Sequence, residues 1–439
     1  VKYGYDRASN RTWRENPSDP NREHDWLYHY DGLNRLQTAQ RGELNGSHTA
    51  IETLDAAQCW KLDPTGNWSE FRQDENGNGT WDFNQTRTAN AVNEITDISN
   101  TPSNIWATPA YDKNGNTTTN PRPDLGTNAT MTATFDAWNR MTKLVDDANS
   151  NVLLENQYDG RSFRVAAKEY TSGALAATRE YYFTDSWQCL EEHVDTSNTP
   201  RRQYVWGMRY IDDLIARDRD ISPSGGLLGE RLYYLADANW NTTAVVSDSG
   251  SVQERYEYDP YGNLSYFAPD FTPRTSSNYS VHYTYTSREW APDVGLYYFR
   301  NRWYDPQLGR FSSRDPIGFE GGTFNLYENL FGLSYTDSSG LRIDQSPRAR
   351  CYRRAAATRD RLLRLIHEDL AYNLYLCAHE YYECTQGRPY EGYECGKCSE
   401  PIPGCILQAY RIYQFDMGRL RAGFPRVLRE CDRLPGRVQ

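Results

Sequence analysis

GLYYFRNRWYDPQLGRFSSRDPIGFEGGTFNLYENLFGLSYTDSSGL, residues 295–341, decides how the rest of the chain is read. The segment sets two acidic turns, at Asp315 and Asp337, 22 residues apart, among closely spaced aromatic side chains and glycines. It also stands on a composition border. Residues 1–341 carry 31 Lys and Arg against 47 Asp and Glu, a net of -16, whereas residues 342–439 carry 17 against 12, a net of +5. An acidic body attracts a basic tail and repels nucleic acid, although drift alone accounts for the asymmetry about as well. Cysteine divides the same way. Cys59 and Cys189 lie before the border, and Cys351, Cys377, Cys384, Cys395, Cys398, Cys405 and Cys431 follow it.

Working outward, the 34 tyrosines and 12 tryptophans against 4 methionines make the apolar content aromatic, which favours strands over helices. A loose unit recurs upstream. An aromatic or apolar residue precedes Asp, and after a short gap Gly-Asn or Asn-Arg leads into a short apolar strand. Copies start at Tyr30-Asp31, Leu62-Asp63, Tyr111-Asp112, Phe135-Asp136, Tyr158-Asp159, Asp237 and Tyr258-Asp259. Asp-Gly and Gly-Asn are expected to supply the positive φ of tight hairpin turns. A single hairpin cannot bury its apolar face, but stacked hairpins can, so a repeat architecture follows.

The segment 295–341 resembles the RHS repeat-associated core, the end of YD-repeat proteins such as polymorphic bacterial toxins, toxin-complex C subunits and, more distantly, teneurins. The residues that carry the likeness are Tyr304-Asp305-Pro306, Gly309-Arg310-Phe311, Asp315-Pro316-Ile317-Gly318, Asn325-Leu326-Tyr327 and Asp337-Ser338-Ser339-Gly340-Leu341. The resemblance implies a mainly β fold, a spiral of β-hairpins forming a hollow shell, here expected to be open or incomplete. Residues 1–290 are assigned to the repeat shell and 291–341 to the core. It further implies an aspartyl autoprotease acting once in cis. Asp315 and Asp337 would share a proton and activate a water, Arg302 would assist with Arg300 as the fallback, and the cut would follow Leu341, at Leu341–Arg342. Two positions depart from the family pattern: Ser338 and Gly332 stand where prolines are usual. Turn-starting aspartates are the bland reading of the same residues.

Residues 342–439 change period. Leu363, Ile366, Leu370, Leu374, Cys377, Tyr381 and Cys384 fall on one helical stripe, which predicts a small α-helical, cysteine-rich domain. Its cysteines suggest disulfides more than a zinc site. Asp74, Asn76, Asn78 and Asp82 match the start of a calcium loop, but position twelve is Gln85 and hairpin chemistry explains the same residues, so no cofactor is expected beyond that calcium candidate. Nothing spans a membrane helically. The chain begins Val-Lys-Tyr without an apolar leader and is read as the C-terminal part of a longer secreted or cell-surface protein. Its expected partners are the upstream chain and its own tail as cargo. Alternatives are a surface adhesin whose aromatics stack on glycans, or an inactive envelope scaffold.

Overall fold

The computed structural model describes residues 1–102, 105–195, 197–222, 227–321, 323–328, 337 and 339–341. The chain divides into two compact units, Val1–Arg342 and Ile343–Gln439. The tail expected to be helical and its seven cysteines, together with Gly332, Ser338 and Arg342, lie outside the described residues. Cys59 and Cys189 are free thiols, and Cys189 is buried.

The first unit is almost wholly antiparallel strand, in strict sequence order. Eight strands from Lys2–Tyr5 to Ile95–Thr101 form one sheet, and fifteen from Ala110–Tyr111 to Pro273–Arg274 form a second. Four short strands, Glu289–Ala291, Leu296–Tyr298, Trp303–Asp305 and Arg310–Phe311, make a third. Among the described residues, helix is confined to three 3-10 turns, none long and apolar enough to cross a membrane. The sheets are open, as hairpins added one after another leave them.

One local device builds most of the hairpins. In the turn that starts at Asp31, Asn34 N–H donates to the Asp31 carbonyl at 3.0 Å, and Asp31 N–H to the Arg35 carbonyl at 2.9 Å. Asp31 Oδ1 accepts the N–H groups of Leu33 (2.8 Å) and Arg35 (3.0 Å). Asp63, Asp112, Asp136, Asp159, Asp237 and Asp259 repeat the pattern. The left-handed residue is the fourth of each turn: Asn34, Gly66, Gly115, Asn139, Ser162, Trp240 or Gly262. This corrects the expectation for Asp-Gly, since Gly32 and Gly160 do not have positive φ.

The fifth residue returns a side chain to Oδ2 of the aspartate, at 2.8 Å from Arg35 and Asn116, 2.9 Å from Asn67 and 2.7 Å from Arg140. It also reaches the neighbouring turn. Asn67 Nδ2 donates to Asn93 Oδ1 at 2.8 Å, Asn116 Nδ2 to Asn139 Oδ1 at 2.9 Å, and Arg140 Nη1 to the Asp159 carbonyl at 3.0 Å. Each turn thereby holds the next, so the repeat propagates through polar contacts as well as strand pairing. Asp112→Ala removes the acceptor of three of these bonds, to Asn114 N–H and to the N–H and Nδ2 of Asn116. Its expected cost is about 1–3 kcal/mol, read as a lower midpoint in urea with unchanged m value.

The core segment, together with residues 281–290 that lead into it, is packed onto both larger sheets. Val281, Tyr283, Val294, Leu296, Tyr298 and Trp303 join the buried cluster of the fifteen-stranded sheet with Met131, Leu144, Leu232 and Val245. Tyr285, Tyr297, Phe299, Tyr304 and Phe311 form an aromatic cluster of their own. Polar ties then fix the core to the turns of the first sheet. Arg87 Nη1 donates to the Leu308 carbonyl at 2.8 Å, Asn93 Nδ2 to the Phe324 carbonyl at 2.9 Å, and Asn325 Nδ2 to Asn67 Oδ1 at 3.0 Å. On the second sheet, Tyr327 Oη donates to the Gly115 carbonyl at 2.7 Å.

Candidate functional site

Three buried side chains meet where the core segment ends. Arg302 follows the Leu296–Tyr298 strand, and its side chain is wholly buried, with the Phe311 ring 3.6 Å from its guanidinium carbon. Asp315 opens a turn in which its carbonyl accepts Gly318 N–H at 2.9 Å and its Oδ1 accepts Ile317 N–H at 3.0 Å. Asp337 opens another, with Oδ1 accepting the N–H groups of Ser339 (3.1 Å) and Gly340 (2.8 Å). Each aspartate thus devotes one carboxylate oxygen to its own turn and leaves the other for the site. Both second oxygens face the same nitrogen. Arg302 Nη2 is 3.0 Å from Asp315 Oδ2 and 3.6 Å from Asp337 Oδ2, and those two distances laid end to end cap the oxygen separation at 6.6 Å.

The remaining guanidinium donors grip backbone. Arg302 Nη1 donates to the Leu326 carbonyl at 3.1 Å and Nε to the carbonyl of Gly340, the residue before Leu341. Gly340 has φ +68°, and a Cβ there would collide with the Phe299 carbonyl, so the glycine is required twice over. Asp337 Oδ2 is buried without a hydrogen-bond partner among the described residues. A buried carboxylate oxygen in that condition is costly unless a proton or a water satisfies it. Ser339 Oγ donates to the Leu341 carbonyl oxygen at 3.1 Å and accepts Leu341 N–H at 3.1 Å.

Of the residues singled out in the sequence, the structure brings together Asp315, Asp337, Arg302 and Leu341. Arg300 lies elsewhere. Its Nη2 is 2.7 Å from Asp212, which also pairs with Arg288, and burial next to Arg288 lowers the Arg300 guanidinium to about 10. Asp74, Asn76, Asn78 and Asp82 lie between the strands Trp68–Asp74 and Phe83–Ala89. Asp74 accepts the N–H groups of Gly77 and Gly79 at 2.8 Å, Asp82 Oδ2 accepts Glu75 N–H at 2.9 Å, Asn76 accepts Asn78 N–H at 3.1 Å, and Asn78 accepts Thr80 N–H at 2.8 Å. These are the bonds a polar hairpin loop makes. Sequence reasoning missed the Ser339 contacts and the grip of Arg302 on Gly340; the signal for the first was a hydroxyl two residues after the aspartate and two before the expected cut.

Asp305, from Tyr304-Asp305-Pro306, is a further buried acid of the core segment. Burial raises its carboxyl to about 6, against the hydrogen bonds it accepts from Leu308 and Gln307 N–H and the partial opposition of Arg122 and Arg87. A folded-state value above the unfolded one means the folded state holds the extra proton, so stability falls as pH rises from about 4 to about 6. The expected loss is about 3 kcal/mol across that window. Asp305→Asn keeps an oxygen acceptor for the turn and is expected to abolish this part of the slope, measured as the difference in urea midpoint between wild type and variant at pH 4.5 and pH 7.5.

Sequential antiparallel hairpins, tied turn to turn and fastened to a core with two inward aspartates, define the fold as that of the RHS/YD-repeat proteins. No protein-family model matches the chain. The tRNA3(Ser)-specific nuclease WapA of Bacillus spizizenii is 27% identical over 212 residues, which is 47% of this chain and 8% of that protein. The tRNA nuclease WapA of Bacillus subtilis is 25% identical over 207 residues, again 47% and 8%. The putative uncharacterized protein YibJ of Escherichia coli is 33% identical over 95 residues, 22% of this chain and 38% of that one. The match thus spans less than a tenth of the length of the WapA proteins. Among solved structures, TcdB2-TccC3-Cdc42 aligns over 77% of this chain and 17% of that chain with a TM-score of 0.58 at 18% identity. TcdB2-TccC3 without its hypervariable C-terminal region gives 0.56 at 17% identity, over 77% and 17%.

Proposed function

We propose that residues 1–341 are the RHS-type body of an exported, toxin-like protein that cuts its own chain once, after Leu341, and so releases residues 342–439 as its effector. The observation that carries this reading is the single guanidinium nitrogen facing one carboxylate oxygen from each of two buried aspartates. Arg302 stabilises the charge on Asp315 and holds the Gly340 carbonyl, so the chain entering the cut is fixed by the same side chain that sets the acids. Asp337 Oδ2, which lacks a hydrogen-bond partner among the described residues, is the natural acceptor for a proton from an attacking water.

The step balances as a hydrolysis. Water oxygen bonds to the Leu341 carbonyl carbon, one proton passes to the carboxylate pair, and the C–N bond to Arg342 breaks. The proton then reaches the departing amine. The tRNA nucleases among the relatives support a toxin-like reading, and their likeness supports export of this chain; the seven cysteines among residues 342–439 fit an oxidising compartment. Expressed full length and run on a denaturing gel, the chain is expected to give fragments of 341 and 98 residues, with Leu341 as the new C-terminus by mass spectrometry. A single full-length band sinks the reading.

A further inference from the structure

The structure assigns Ser339 a direct part in the cut: its hydroxyl donates to the carbonyl oxygen of the Leu341–Arg342 bond, with Asp337 as the alternative acceptor of the same hydrogen. This rests on the cleavage reading and deepens it. Ser339 Oγ lies 3.1 Å from the Leu341 carbonyl oxygen and 3.4 Å from Asp337 Oδ1. Leu341 N–H donates to the same Oγ at 3.1 Å. With a lone pair so occupied, the one hydroxyl hydrogen has two acceptors in reach, the aspartate and the carbonyl oxygen.

The residue is itself clamped. Its carbonyl accepts Asn301 N–H at 3.3 Å and Asn301 Nδ2 at 2.9 Å, and the next carbonyl, of Gly340, is held by Arg302 Nε. The hydroxyl therefore reaches the reacting carbonyl from a fixed base. As water adds to the Leu341 carbonyl carbon, negative charge grows on the oxygen that Ser339 touches, and a donor there counts for more in the transition state than in the resting chain. When the C–N bond breaks and the carbonyl re-forms, the hydroxyl hydrogen turns back toward Asp337, so Ser339 ends unchanged while the water proton leaves on the Arg342 amine.

The test is a time course of full-length chain made by cell-free translation, comparing wild type, Ser339→Ala and Ser339→Thr, with thermal melting of each product. Ser339→Ala is expected to slow first-order cleavage about 10- to 100-fold. Ser339→Thr, which keeps the hydroxyl, is expected to stay within about threefold of wild type. Cleavage of Ser339→Ala at the wild-type rate overturns the assignment, and so does equal slowing of both variants at unchanged melting temperature, because size and not the hydroxyl would then matter. A wild type that stays whole is a different failure, of the cleavage reading itself.

Discussion

Asp315→Asn is expected to leave the full-length chain uncut, its cleavage rate at least about 100-fold below wild type. The substitution keeps the local turn but takes the charged partner from buried Arg302, so a stability loss of about 1–3 kcal/mol is expected beside the lost cleavage. An amide oxygen still accepts Ile317 N–H, and the turn carbonyl that takes Gly318 N–H is untouched. What disappears is the charged oxygen 3.0 Å from Arg302 Nη2. Asp337→Asn is expected to do the same through the other side, keeping an acceptor for Ser339 and Gly340 N–H and losing the oxygen 3.6 Å from that nitrogen. Two carboxylates that handle one water act as a unit, so the double variant should be no slower than either single one. Multiplying effects would mean separate roles, and a wild-type rate in Asp315→Asn would remove the acid from the chemistry.

Much of this architecture was legible because it is local. An aspartate whose Oδ1 takes the N–H groups two and four residues on needs only five residues to declare itself, and seven such turns stood out by their Asp. The turns at Asn90 and Thr184 did not, since an amide or hydroxyl oxygen serves as the same acceptor without the expected letter. Asp315, Asp337 and Arg302 were legible through resemblance, and the structure supplies the reason two turn-formers can also be site residues: each has a second oxygen. Long-range polar burial was not legible. Glu192 sits mid-strand and is fully buried. Burial by itself would raise its carboxyl, yet the Arg202 guanidinium at 2.6 Å holds it well below the ordinary range, and Tyr204 Oη donates to it at 2.6 Å. Nothing near position 192 or 202 announces that pairing, because strand register decides it.

Arg302→Met is expected to destabilise the chain by about 3–5 kcal/mol, more than any other single change to the site. Methionine fills much of the volume over the Phe311 ring but donates nothing. The carbonyls of Leu326 and Gly340 lose their guanidinium donors, and Asp315 and Asp337 are left buried, close together and without the cation between them. Like charges so placed repel each other. Arg302→Lys keeps a charge but not the fork that spans two carbonyls and an acid, so an intermediate loss is expected. The decisive measurement is a double-mutant cycle in urea, followed by tryptophan fluorescence. Arg302→Met should cost less in an Asp315→Asn background, where one of the stranded charges is already gone. Equal costs in the two backgrounds, or a cost under about 1 kcal/mol in wild type, would mean that the arginine and the acids are neighbours without being energetically joined, and the grip on the Gly340 carbonyl would lose its claim to set the scissile segment.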